Sequence, residues 1–227
     1  VVLPFVNMSA DPENEYFSDG ITEEIINALT TVKGLKVIAR TSSFAFKNKN
    51  IDVRSIGHQL GVGTVLEGSV RKAKNRVRIT AQLINTNDGT HFWSKNFDRD
   101  LKDIFTLQDE ISVLLADQIR ENFGHIEIPP VLHPTTTHDV KAYDLWLKGS
   151  YHLKRKDYED IKAAMKFFKA AIKVDPNYSE AYAYLGETYI QAEALNIFPN
   201  EEGNNLARNA AERAIKLHAE NAKAHLV

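Results

Sequence analysis

The stretch "AAMKFFKAAIKVDPNYSEAYAYLGETYI", Ala163 to Ile190, decides how the second half of this chain folds. Small and large apolar residues recur at helical spacing on either side of a break. Ala164, Phe168 and Ala171 precede Asp175 and Pro176; Tyr182, Leu185, Gly186 and Tyr189 follow them. The proline ends one helix and the next period starts within a few residues. The register returns in "AERAIKLHAENAKAH", where Ala214 stands in the place of Ala171 and Ala219 in that of Pro176. Small residues let paired helices approach closely, and large ones fill the gap to the next pair, so the pattern predicts stacked helical hairpins. Ala222 to Val227 reads as the opening of a further unit, with Ala224 and His225 where Ala181 and Tyr182 stood.

Residues 1–123 have a different period. "VVLPFV" (Val1 to Val6) reads as a strand, and Ile21, Ile25, Leu29 and Val32 recur as a helix that Gly34 stops. "LKVIAR" (Leu35 to Arg40) reads as a second strand, and Val53, Ile56 and Leu60 mark a short helix ended by Gly61. Three strands follow over about 63–73, 76–86 and 90–98, joined by the tight turns "KAKN" and "NDG" into an antiparallel meander. Val77, Ile79, Ala81 and Leu83 alternate with Arg76, Arg78, Thr80 and Gln82, so one face of the middle strand is buried. A final helix over about 102–123 carries Ile104, Leu107, Ile111, Leu114 and Ile119. The expected fold class is therefore α/β plus all-α: a mixed-sheet α/β sandwich over 1–123, a linker over 124–139 with three prolines and a threonine run, and helical hairpins over 140–227.

Composition narrows the function classes. The 28 basic and 30 acidic side chains balance, which argues against nucleic acid or an anionic membrane as the main partner. Cysteine is absent, removing disulfides, thiol nucleophiles and cysteine-containing zinc sites. The longest aliphatic run, "ISVLLA" (Ile111 to Ala116), is far shorter than a membrane span, and no signal peptide is visible. The chain starts inside a strand and ends inside a helix, so a fragment of a longer polypeptide is the expectation; bacterial cytoplasm and the periplasmic side of an inner-membrane protein both stay open.

Several stretches invite a chemical reading. "SADPENEYFSDGITEEI" (Ser9 to Ile25) is rich in carboxylates, but an EF-hand counted from Asp11 would need glycine where Tyr16 stands. Helix initiation explains more, with Asp19 as the cap, Gly20 as the tight entry and Glu23 and Glu24 near the positive end of the dipole. Gly61 and Gly63 lead from a helix into a strand, the reverse of a dinucleotide fingerprint. His133 and His138 flank the threonine run in the expected linker, without the rigid frame a metal requires. No Walker loop, nucleophile elbow or His-Glu-x-x-His stretch occurs, and no cofactor is expected. Arg71, Lys72, Lys74, Arg76 and Arg78 form a basic hairpin that could contact an anion, although a solvated hairpin protected against edge pairing is the simpler reading.

The helical half resembles the tetratricopeptide repeat family on the residues named above; against that family's standard unit Gly149 lies too far before Pro176, which implies a lengthened helix or turn near Arg155–Asp160. In such repeats the first helices line a concave groove. By register this resemblance places Trp146, Ser150 and Lys154 from one unit, with Glu180, Ala183, Glu187 and Gln191 from the next, on a surface for a protein or peptide partner. About two repeats are present and a third is cut short, which leaves room for self-association. The first half, through "LKVIARTSSFAFK", "IGHQLGVGTVLEGSVRKAKNRVRITAQLIN" and "FTLQDEI", resembles the TolB-like amino-terminal domain of bacterial multidomain signalling proteins. The resemblance implies a sensory or interaction region beside a winged helix, a class III adenylate cyclase or a kinase, and carries no catalytic residues. The expectation is a non-catalytic region of a bacterial signalling or transcriptional regulator; the alternatives are part of an adenylate cyclase polypeptide and a periplasmic small-ligand sensor.

Overall fold

The structure is a computed structural model that describes residues 1–124, 127, 129, 137–198 and 202–227. The chain divides into two compact units, Val1–Pro134 and Thr135–Val227. Most of the expected linker, including His133, lies outside the described residues.

In the first unit a four-stranded mixed sheet runs in the order β1 (Val6–Asn7), β2 (Thr64–Ala73), β3 (Arg76–Asn85) and β4 (His91–Asp100). β1 is parallel to β2, and the rest is the antiparallel meander that the turns imply. The first strand is shorter than the Val1–Val6 expected from the sequence. Val2 bridges Leu66 and Leu3 N donates to Leu66 O, but the next N–H on that side, that of Phe5, leaves the ladder. Phe5 N turns inward to Thr22 Oγ1 at 2.9 Å, and pairing resumes only at Val6.

Val77, Ile79, Ala81 and Leu83 are buried as the alternation requires. A register shift at Leu83/Ile84 lets Ile84 be buried too, which strict alternation forbids. Helices α1 (Glu15–Thr30) and α4 (Ile104–Phe123) complete this core through Phe17, Ile21, Ile25, Ile104, Leu107 and Ile111. On α4 the buried position is Leu115 rather than Leu114.

Two expectations are corrected. Residues 35–39 form no strand among the described residues; they run without a ladder into a short helix, α2 (Arg40–Phe44). Arg40 pairs with Glu23 at 2.5 Å and lies over the Phe44 ring, and Ser43 Oγ donates to Val2 O, so side chains rather than a ladder hold this segment. Asp19 does not cap α1. The helix starts at Glu15, after a 3₁₀ turn at Pro12–Asn14 whose own cap is Asp11, and Gly20 lies inside the helix. Asp19 is buried, with both oxygens on Lys47 Nζ at 2.6 and 2.7 Å. Burial raises its pKa and the Lys47 bonds only partly offset that. The short helix α3 (Val53–Leu60) ends as read, with Gly61 in the left-handed region at φ 63°.

In the second unit α5 (Val140–Leu153) pairs with α6 (Tyr158–Val174), and α7 (Ser179–Ala194) with α8 (Glu202–Leu217). Both pairs are antiparallel, because hydrogen bonds join opposite ends. His152 meets Asp160 at 2.5 Å and Thr137 Oγ1 meets Asp175 at 2.6 Å in the first pair. In the second, Gly203 N meets Glu193 at 2.7 Å and Ser179 Oγ meets Ala214 O at 3.0 Å. The irregularity foreseen near Arg155 is a turn after α5 with Lys156 at φ 63°. α7 also packs on α6, and the last residues form a 3₁₀ turn, Ala224–Leu226, against α7.

Close approach of backbones carries a measurable cost when it is blocked. A Cβ on Gly68 would collide with the Thr80 carbonyl oxygen and stand 2.7 Å from the Phe5 ring, whereas one on Gly63 meets nothing within 4 Å. In denaturant melts Gly68→Ala is expected to destabilise the first unit by about 2–3 kcal/mol, and Gly63→Ala to stay within about 0.5 kcal/mol. Equal effects would contradict this packing.

Candidate functional site

Helix α7 carries a half-buried strip, Glu180, Tyr184, Glu187 and Gln191, at helical spacing i, i+4, i+7 and i+11. On one flank stands Trp146 of α5, 6% exposed. Its ring meets Tyr143 at 6.0 Å, Tyr178 at 6.2 Å and Tyr184 at 5.1 Å, so it lies along the turn of α7 that carries Glu180. On the other flank stands Lys223, 2.7 Å from Glu187 Oε2 and 4.7 Å from the Tyr184 ring. The strip thus has aromatic rings along one flank and a cation on the other, and it lies where the helical register led us to expect a groove.

The polar atoms of this strip are unusually poor in partners. Seven buried side-chain polar atoms make no hydrogen bond among the described residues, and four of them are Trp146 Nε1, Glu180 Oε2, Glu187 Oε2 and Gln191 Oε1. Lys223 compensates Glu187 electrostatically, which leaves three. A buried polar group without a partner costs about 1–3 kcal/mol, so a cluster of them calls for an explanation. Burial pushes Glu180 up from 4.5 to about 7, with only its own backbone N–H acting the other way.

Of the residues that the register assigned to the groove, Trp146, Glu180 and Glu187 come together here, and Gln191 joins them through Nε2, 3.4 Å from Glu187 Oε1. Ser150 is buried at 4% and Lys154 forms the C-cap of α5. Ala183 is a correction. It is 0% exposed in a cluster with Ala214 and Ala224, because its position on α7 turns it toward α8 and the last 3₁₀ turn. Tyr184 and Lys223 are additions. The i+4 spacing from Glu180 could have found Tyr184; Lys223 depends on how the final residues fold back.

The basic hairpin is largely spoken for. Asp98 binds both Arg76 and Arg78, Asp100 lies 3.3 Å from Arg76, and Arg71 Nε donates to Met8 O at 3.1 Å. Lys72 faces the helices, 2.9 Å from Tyr16 Oη and over the Phe17 ring, while Lys74 takes φ 52° in the turn. Cross-strand carboxylates on β4 thus neutralise the charge that an anion would need. Among the described residues no group of three or more His, Asp and Glu side chains is placed to hold a metal ion. No helix among them is long and apolar enough to cross a membrane.

No protein-family profile matches the chain. It is 42% identical over 184 residues to the Rhizobium meliloti (strain 1021) protein named "Putative adenylate cyclase 3", an alignment covering 81% of this chain and 31% of that protein. The chain therefore spans about a third of the length of the curated relative it matches. Among solved structures, the lipoprotein GNA1162 of Neisseria meningitidis is 17% identical with a TM-score of 0.39, over 54% of this chain and 96% of that one. The LpoB C-terminal domain of Salmonella enterica is 16% identical with a TM-score of 0.36, over 44% and 80%.

Glu180 makes stability depend on pH. Between 4.5 and about 7 the unfolded chain has released this proton and the folded chain still holds it, so the stability it contributes is lost as pH rises through that window. Glu180→Gln is expected to match the wild type near pH 4.5 and exceed it by about 1–3 kcal/mol at pH 8, read from hydrogen exchange of the slowest α7 amides. A difference independent of pH would contradict the burial of this carboxyl.

Proposed function

We propose that this chain is a non-catalytic sensory and protein-interaction region of a bacterial signalling polypeptide, in which a TolB-like domain is followed by tetratricopeptide repeats. In this reading the groove floored by α7 receives an extended segment of a partner. The observation that carries it is the strip of buried, unbonded polar atoms beside four aromatic rings. An extended peptide has both N–H donors and C=O acceptors at short intervals, which suits a Trp N–H and two side-chain oxygens. The closely apposed helical hairpins support the repeat assignment, and the sheet with helices α1 and α4 is compatible with the TolB-like one.

The 42% identity to a protein named as an adenylate cyclase favours one output over the other candidates: a cyclase polypeptide whose catalytic domain lies outside this chain. A winged-helix regulator and a periplasmic sensor have no comparable support.

Two measurements test the proposal. The purified chain with ATP and magnesium is expected to form no cyclic AMP above a buffer blank; turnover abolished by one substitution in this chain would overturn the non-catalytic reading. Peptides selected from a random library on the full chain are expected to bind about tenfold or more weaker to Gln191→Ala and Tyr184→Ala, with Arg78→Ala unchanged. Losses confined to Arg78→Ala would overturn the groove.

A further inference from the structure

We propose that the segment occupying the α7 groove presents a cationic side chain, lysine or arginine, to Glu180 beside the Trp146 and Tyr184 rings. This rests on the groove reading above and adds the chemistry of the occupant.

The groove's unmet polar capacity is lopsided. Trp146 Nε1 offers one donor, whereas Glu180 Oε2 and Gln191 Oε1 are acceptors, and the Gln191 amide nitrogen is already turned to Glu187. Main-chain carbonyls of an extended peptide answer the single donor. A lysine ammonium has three donors and an arginine guanidinium five, and neither has an acceptor to waste. Charge points the same way. Glu187 is compensated by Lys223 at 2.7 Å, while Glu180 makes no ion pair among the described residues. An acidic occupant would bring a carboxylate against two glutamates, and Lys223 is already engaged with Glu187.

The apolar wall suits a cation as well. Trp146 and Tyr184 meet edge-on, 75° apart at 5.1 Å, and form a corner in which a lysine or arginine stem can pack. An ammonium or guanidinium within about 6 Å of such rings is attracted by their π faces. Lys223 already sits over the Tyr184 ring at 4.7 Å, so this ring accepts a cation in the free chain. Burial raises Glu180 toward neutrality, and an arriving cation opposes that shift because the charged carboxylate then has a partner. Trp146, nine-tenths buried with an unbonded N–H, is the independent sign that the strip is built for an occupant rather than being a cluster of acids.

The test uses peptides selected from a random library on the full chain at pH 8. The groove-dependent ones, identified by their loss on Gln191→Ala, are expected to share a lysine or arginine at one position. Replacing that residue by norleucine should weaken binding at least about tenfold, and Glu180→Gln should do the same. The two changes together should cost little more than either alone, since each removes the same contact. Groove-dependent peptides without a shared cation, or two losses that simply multiply, would overturn this inference and leave the groove standing. Selection that yields no peptide sensitive to Gln191→Ala would overturn the groove itself and this inference with it. The norleucine comparison needs no protein variant, so a poorly folding Glu180→Gln would not shield the idea.

Discussion

The helical unit depends on how closely α7 can lie against α8. Gly186 has no side chain, and a Cβ there would stand 3.2 Å from the Ala207 carbonyl and 2.9 Å from a Val227 methyl. Ala183 and Ala214 meet Ala224 in the same seam. A relay of hydrogen bonds then fixes the end of the chain: Asn221 Nδ2 donates to Ser179 Oγ at 2.7 Å, Ser179 Oγ donates to Ala214 O, and Ala224 N donates to Asn221 Oδ1. Held this way, the residues after α8 bring Lys223 to Glu187 and Tyr184. A larger residue at Gly186 would push α8 and this turn outward together and open one side of the groove.

The first unit spends its polar side chains on itself. Asp98 holds two arginines, Thr80 meets Asn96 at 2.7 Å across the sheet, and Lys47 is shared by Glu15 and Asp19. Segment 46–53 adds a wall over part of this polar face, enclosing about 470 Å³ with Glu67, Ser69, Thr80 and Gln82. The surface pairs are solvated, and pairs of that kind contribute little to stability individually. Their consequence is for recognition, because a hairpin that reads as basic has little uncompensated charge. On the α7 strip of the helical unit, by contrast, polar atoms stand without partners beside aromatic rings.

Where the sequence was legible, a strict period was in force. The meander could be read because β3 buries every second residue over most of its length, and the hairpins because Gly149, Phe168 and Gly186 sit where helices touch. Reading failed where side chains override local pattern. Leu35 to Arg40 reads as a strand by its β-branched residues, yet Arg40 finds Glu23 and Phe44, and a helix begins there. Asp19 looks like a cap because glycine follows it, but its partner is Lys47, twenty-eight residues on and invisible to any local rule. The groove was half legible for the same reason. Glu180, Glu187 and Gln191 follow from helical spacing, whereas Ala183 was misplaced because the contacts of Ala224 were needed to see which way it faces.

The central claim is that the groove beside Trp146 is where this chain meets a partner, and the indole N–H of that residue reports on it directly. The chain has two tryptophans, Trp93 in β4 and Trp146 in α5, so its indole ¹H–¹⁵N spectrum holds two resonances, one from each unit. On saturation with a selected peptide, the Trp146 indole proton should move downfield as its buried N–H gains an acceptor, while Trp93 stays in place. A bound peptide that leaves Trp146 unmoved, or shifts Trp93 instead, would contradict the account.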